Sequence, residues 1–252
     1  DARERSAAGE SLPAACLNNE RFRDFMFSWI DVVLETGPDV VFWDEPHFYL
    51  YPLDQMAKDK ALWACRCGIC RRKFRKRFGY VMPVRLNDDV KLFKEDSIID
   101  FLKIMCDRVK LRAACRGFKI ENAVCLLPFK GSLGGVMDWS KAAKISSVDI
   151  IGTDPYWKAG EKNVGGLVSK FSKRIHDLAK RHGKEGQIWI LNFRIKGGTE
   201  ADIITAVRAA FGQGIRNIAA WSYFGTGCMS SLKCDNPKGT WEALGRAYAE
   251  II

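Results

Sequence analysis

Long hydrophobic runs are what this sequence lacks first. About 18 apolar residues never stand together, so no segment reads as a membrane span. Yet 47% of the 252 residues are hydrophobic, enough to bury the core of one large domain or two small ones. Histidine is scarce at three residues. His176 and His182 fall on an amphipathic helical pattern and at its end and read as structural, leaving His47 with a functional context. A phosphate loop is also missing. Gly131, Gly134 and Gly135 cluster, but no Lys-Ser/Thr follows them, so they read as a flexible active-site loop and no organic cofactor is expected. No apolar leader follows Asp1; the native N-terminus is expected to be absent, and the compartment stays open with the cytoplasm as default.

Basic residues outnumber acidic ones by 40 to 30, a formal net charge of +10. Such a surplus suits an anionic partner such as nucleic acid or a charged polysaccharide. Much of it lies between 71 and 77, however, where Cys70, Phe74 and Phe78 recur at helical spacing and leave the charges on a solvated face. A soluble enzyme with a basic surface is therefore the preferred reading, and nucleic acid the lesser one.

Nine cysteines are present, unevenly placed. Cys106, Cys115 and Cys125 lie in apolar segments and read as buried thiols. Cys65, Cys67 and Cys70 crowd into six residues, a spacing that suits a metal better than a disulfide scaffold. Three thiolates so placed can wrap a tetrahedral zinc, and Cys16 is the candidate fourth ligand because it precedes the helix leading into the neighbouring strand. A four-thiolate site leaves no open coordination position, so this zinc is expected to be structural.

The chain begins irregularly through about residue 19. Helical periodicity then runs from 20 to 35, 70 to 78, 88 to 116, 138 to 145, 164 to 182 and 199 to 212, with a short helix at the C-terminal end. Thr199 offers an N-cap for the sixth, with Asp202 closing a capping box. Five apolar runs between them, near 39–43, 123–127, 148–152, 187–191 and 217–221, read as buried strands. Strands alternating with helices predict a parallel sheet wrapped by helices, an α/β chain of the (β/α)8 TIM-barrel type. A full barrel needs about eight strands, so the chain is expected to be one domain holding the last five βα units, with an inserted zinc loop at about 48–80. A second chain supplying the first strands, or a homo-oligomer, is the corresponding expectation for partners.

Each predicted strand ends in polar or aromatic residues, where a (β/α) barrel places its chemistry. The first ends Trp43-Asp44-Glu45-Pro46-His47. By strand alternation Glu45 shares a face with Val41 and Trp43, and Asp44 points away. Adjacent carboxylates rarely serve packing, since burying charge without partners is costly. Asp154 follows the third strand; it is either a second carboxylate able to act with the first on a glycosidic bond, or a cap on the turn before Pro155. Tyr156, Trp157, Trp221 and Tyr223 sit at neighbouring strand ends, where their rings suit stacking on sugars or simple packing. Asn192 ends the fourth strand.

Trp43-Asp44-Glu45-Pro46 resembles the Asn-Glu-Pro that ends the fourth barrel strand of clan A glycoside hydrolases. Cys65, Cys67, Cys70 and the earlier Cys16 are similar to the zinc cluster of the β-galactosidase-like members, as are Phe74, Phe78 and Gly79 to the helix that follows it there. The resemblance covers about the first 80 residues. It implies Glu45 as acid/base, with Asp154 or Asp44 as the second carboxylate, and a sugar site shaped by His47, Trp43, Tyr156, Trp157, Asn192, Trp221 and Tyr223. Two features depart from that pattern: Asp44 replaces the Asn, and Asn192-Phe193-Arg194 stands where the clan carries its nucleophilic Glu. The expected function is thus a glycoside hydrolase acting on a carbohydrate. A non-catalytic sugar-binding or assembly subunit and a zinc-containing nucleic-acid binder are the alternatives.

Overall fold

The computed structural model describes residues 1–52, 59, 61–128, 135–229 and 231–252. Gly131 and Gly134 of the expected glycine loop lie outside them. The chain forms two compact units, Asp1–Val148 and Asp149–Ile252. Their five parallel strands, alternating with helices in chain order, make the architecture a partial (β/α) barrel.

The first unit opens on an antiparallel hairpin, β1 (Arg3–Arg5) and β2 (Ser11–Ala15). This corrects the irregular start read from the sequence. The hairpin shows no apolar alternation because a distant segment secures it: Ala7 N–H donates to the Trp63 carbonyl at 3.0 Å and Arg66 N–H to the Arg5 carbonyl at 2.9 Å. Helix α1 (Glu20–Val33) starts where the Asn19 side chain accepts from Arg21 N–H. Strand β3 (Val40–Trp43) lies parallel to β4 (Glu121–Leu126), Val40 opposite Glu121 and Trp43 opposite Val124. Between them come the basic helix α2 (Gly68–Phe78), closed by the left-handed Gly79, and the long α3 (Asp88–Cys115), capped by Asn87. Cys106 and Cys125 are buried as expected, but Cys115 is exposed because it ends α3.

Two buried polar side chains hold this unit together. Asn122 on β4 accepts from the Trp43 indole at 3.0 Å and donates to the carbonyls of Cys106 and Ser147. Glu95 on α3 accepts from the N–H groups of Met137 and Asp138 and from Lys141, fixing the start of α4 (Trp139–Ala143).

The second unit repeats the strand–helix pattern with β5 (Ile150–Thr153), α5 (Val164–His182), β6 (Glu185–Leu191), α6 (Ala201–Gly212), β7 (Asn217–Trp221) and α7 (Pro237–Ala249). The order β5-β6-β7 is parallel throughout. Gly152 lets β5 approach closely, since a Cβ there would meet the Gln187 carbonyl oxygen at 2.8 Å. The predicted cap of α6 is not formed. The Thr199 hydroxyl donates back to the Lys196 carbonyl, and the helix begins two residues later with no side chain capping it.

Candidate functional site

Glu45 stands two residues past the end of β3, its N–H donating to the Cys125 carbonyl at 3.1 Å. Its φ of 39° is left-handed, so strand alternation ends before it and the face shared by Val41 and Trp43 does not extend to Glu45. Trp43 is buried, edge-on to Trp29 with centroids 6.0 Å apart, and its indole N–H is taken by Asn122. Asp44 lies at the surface, where neighbouring mass raises its carboxyl above the ordinary value and His47 pulls the other way. The His47 ring bonds the Phe48 carbonyl through Nδ1 at 2.8 Å. A carbonyl only accepts, so Nδ1 carries the proton and Nε2 is the nitrogen that can take another.

The four predicted thiols do come together. Cys16, Cys65, Cys67 and Cys70 have their sulfurs within 4.8 Å of one another, with Cys16 Sγ 3.7 Å from Cys67 and 3.5 Å from Cys70. Four sulfurs about 2.3 Å from a tetrahedral zinc stand about 3.8 Å apart, so the set fits such an ion. Three of the cysteines are fully buried, as a closed structural site requires. N–H groups converge on the sulfurs: Arg5 N–H on Cys65 at 3.4 Å, Asn18 Nδ2 on Cys70 at 3.5 Å, and Cys70 N–H on Cys67 at 3.5 Å. Cys67 caps α2 and accepts from the neighbouring thiols Cys16, Cys65 and Cys70, which holds it well below the ordinary thiol range. The cluster joins the hairpin, the 63–66 segment and α2.

Two buried ionisable side chains that sequence reasoning missed, Glu4 and Lys94, feel the cluster's charge. Lys94 of α3 sits over the rings of Phe48 and Trp63, at 5.7 and 5.8 Å. Burial pulls its ammonium down to about 8, against the pull of Glu4, Cys65 and Cys70. Burial likewise pushes the Glu4 carboxyl up to about 7, opposed by the Tyr49 N–H and Lys94.

In the second unit the strand ends gather aromatic rings. Tyr156, Phe193 and Trp221, just past or at the ends of β5, β6 and β7, pack edge to face with centroids 5.2 and 5.0 Å apart. Asp154 is buried immediately after β5, and its carbonyl accepts from Tyr156 N–H. Asn192 is fully buried: its N–H donates to the Trp221 carbonyl and its Nδ2 to the Ser222 carbonyl, each at 2.6 Å. Its Oδ1 has no hydrogen-bond partner among the described residues. Trp157 is buried against a pocket, while Tyr223 is 79% exposed and edge-on to Trp241.

Among the described residues, left-handed backbone at non-glycine positions occurs at Glu45, Arg194, Phe224 and Thr226. Each lies within five residues of the end of β3, β6 or β7. Such conformations cost on the order of 1–3 kcal/mol each and persist where the surroundings enforce them, often at functional sites. Phe193 was not singled out from the sequence, because a lone Phe after a strand looks like core. Only its place in the row between Tyr156 and Trp221 marks it.

No family model matches the sequence, and no curated protein matches it. Among solved structures, the chain is similar to the endo-beta-1,4-mannanase of Thermotoga petrophila, with a TM-score of 0.46 and 15% identity over 62% of this chain and 40% of that one. It is also similar to a protein provisionally described as an alpha-L-fucosidase from Bacteroides thetaiotaomicron VPI-5482, with a TM-score of 0.43 and 13% identity over 92% and 88% of the two chains. The chain thus spans 40% of the mannanase's length.

Proposed function

We propose that this chain is a carbohydrate-active enzyme, a glycoside hydrolase in which Glu45 is the acid/base. The observation that carries the reading is the row Tyr156–Phe193–Trp221 across three successive strand ends, a set of apolar faces of the kind that stack on sugar rings. The left-handed backbone at Glu45 and Arg194 supports it, because strain concentrated at the ends of parallel strands marks the positions where such folds work.

In this reading Glu45 protonates the glycosidic oxygen as the bond to the anomeric carbon breaks. Asp154, or Asp44, then supplies the second carboxylate, either attacking the anomeric carbon or activating the water that does. His47 and Asn192 orient hydroxyl groups, and Cys16, Cys65, Cys67 and Cys70 would hold a zinc that ties the cysteine loop to the hairpin as a structural clamp. The test is turnover of a panel of aryl glycosides by the wild type and by Glu45→Gln. Loss of about 10²-fold or more is expected; unchanged turnover sinks the assignment.

The sequence Asn192-Phe193-Arg194 favours one second reading, since no carboxylate stands at the end of β6. There the barrel binds sugar without cleaving it, and binding persists while no glycoside is turned over.

A further inference from the structure

A pocket of about 590 Å³ lies wholly within the second unit, past the ends of β5 and β6. Its volume suits a ligand of one or two sugar rings. Tyr156, Trp157 and Phe193 supply apolar faces to its wall. Its charge is lopsided: Lys158, Arg194, Lys196 and Lys233 line it against only Asp202 and Asp235.

Those two carboxylates do little to balance the cations. Asp235 is already engaged, accepting from Gly197 N–H at 3.2 Å and facing Lys196 at 3.7 Å. Asp202 was expected to cap α6, but its side chain lines the pocket instead, and burial holds its carboxyl above the ordinary value. Among the described residues, Lys158, Arg194 and Lys233 have no carboxylate partner.

Arg194 is the best organised of the four. Its left-handed backbone, with φ of 53°, is pinned where its N–H donates to the Leu232 carbonyl at 2.9 Å. Its Nε donates to the Ser231 carbonyl at 3.0 Å. The guanidinium is therefore anchored by its inner nitrogen, and its two terminal nitrogens form a fork that can grip a planar carboxylate through two parallel hydrogen bonds.

We propose that this pocket binds a sugar carrying a carboxylate, a uronic acid unit, with its ring on the Tyr156–Trp157–Phe193 wall and its carboxylate on Arg194. The inference rests on the carbohydrate reading and adds to it the charge class of the sugar. Lys158 and Lys233 contribute attraction without directional grip.

Isothermal titration of the full chain tests this with uronate disaccharides (galacturonate, glucuronate and mannuronate) and their neutral hexose counterparts, at about 50 and 500 mM salt. At least one uronate should bind about tenfold or more tighter than its neutral counterpart, and high salt should shrink the gap. Arg194→Gln should abolish the gap while leaving the neutral affinity within about twofold, and Arg194→Lys should keep only part of it. Lys233→Gln, at an exposed side chain, should narrow the gap about two- to threefold and guards against misfolding of the arginine variants. Equal affinity for charged and neutral sugars, or a gap that survives Arg194→Gln, overturns the proposal. If neutral sugars bind equally well and Glu45→Gln still abolishes turnover, the charge class alone falls. If no sugar binds at all, both readings fall together.

Discussion

Asn122 in the first unit and Asn192 in the second are both fully buried, and they are held differently. In the first, Asn122 bonds through both of its amide atoms and Glu95 accepts three hydrogen bonds, although Arg108 Nε and Ser147 Oγ stay without a partner among the described residues. In the second, Asn192 leaves Oδ1 without a partner among the described residues, a pocket opens beside it in sequence at Phe193 and Arg194, and β7 is half-buried along almost its whole length. A side chain whose polar atoms are all bonded resists change, since its removal strands each neighbour. An interior with spare acceptors and aromatic faces gives up stability and gains places for a ligand. On the proposed reading, the thiol clamp and Glu45 belong to the first unit and the aromatic row to the second.

Substitutions should therefore strike stability in one unit and binding in the other. The largest effect is expected at the cluster. Cys70→Ser, or removal of metal by a chelator, should abolish stoichiometric zinc and cost several kcal/mol of first-unit stability, read by metal analysis and thermal unfolding. A variant that keeps its melting temperature would show that the thiols are not a clamp.

Next comes Glu4. Its folded carboxyl is raised from 4.5 to about 7, so its contribution to stability is fully present below about pH 4.5 and is lost as pH rises through about 7. The wild type should lose up to about 3 kcal/mol from this group over that window, and Glu4→Gln should flatten the loss in a denaturant series. An unchanged slope would mean that Lys94 and the cluster compensate the charge completely.

Asn122→Ala should cost about 2 kcal/mol by stranding the Trp43 indole and two carbonyls, with sugar affinity unmoved. The smallest change in stability belongs to Phe193→Ala, which should shift the melting temperature little yet weaken sugar binding by about tenfold. Were Phe193 to behave like Asn122, the contrast between the units would collapse.

The sequence made visible whatever local chemistry decides. The helix from 164 to 182 and the strand from 217 to 221 match the observed α5 and β7, because periodicity and the terminal Gly183 act within a few residues. The cysteine trio was legible from spacing, and Cys16 from its place ahead of α1. The hairpin at residues 3–15 was not, because its stability comes from the 63–66 segment and from sulfurs about fifty residues away. Thr199 and Asp202 show the same limit. Their spacing fits a capping box, but a carbonyl at Lys196 takes the hydroxyl and the pocket takes the carboxylate. Nor does anything in Glu45 or Arg194 announce a left-handed backbone; it goes with contacts to Cys125 in one case and to Leu232 and Ser231 in the other, all distant in sequence.

The spacing of the thiols also sets an order of events during synthesis. Cys16 leaves the ribosome well before Cys65, Cys67 and Cys70, and at about 5–20 residues per second it waits several seconds for them. Through that interval the hairpin lacks its docking segment, and Cys16 is a solitary thiol open to oxidants. The four thiols can therefore meet only once residue 70 has emerged.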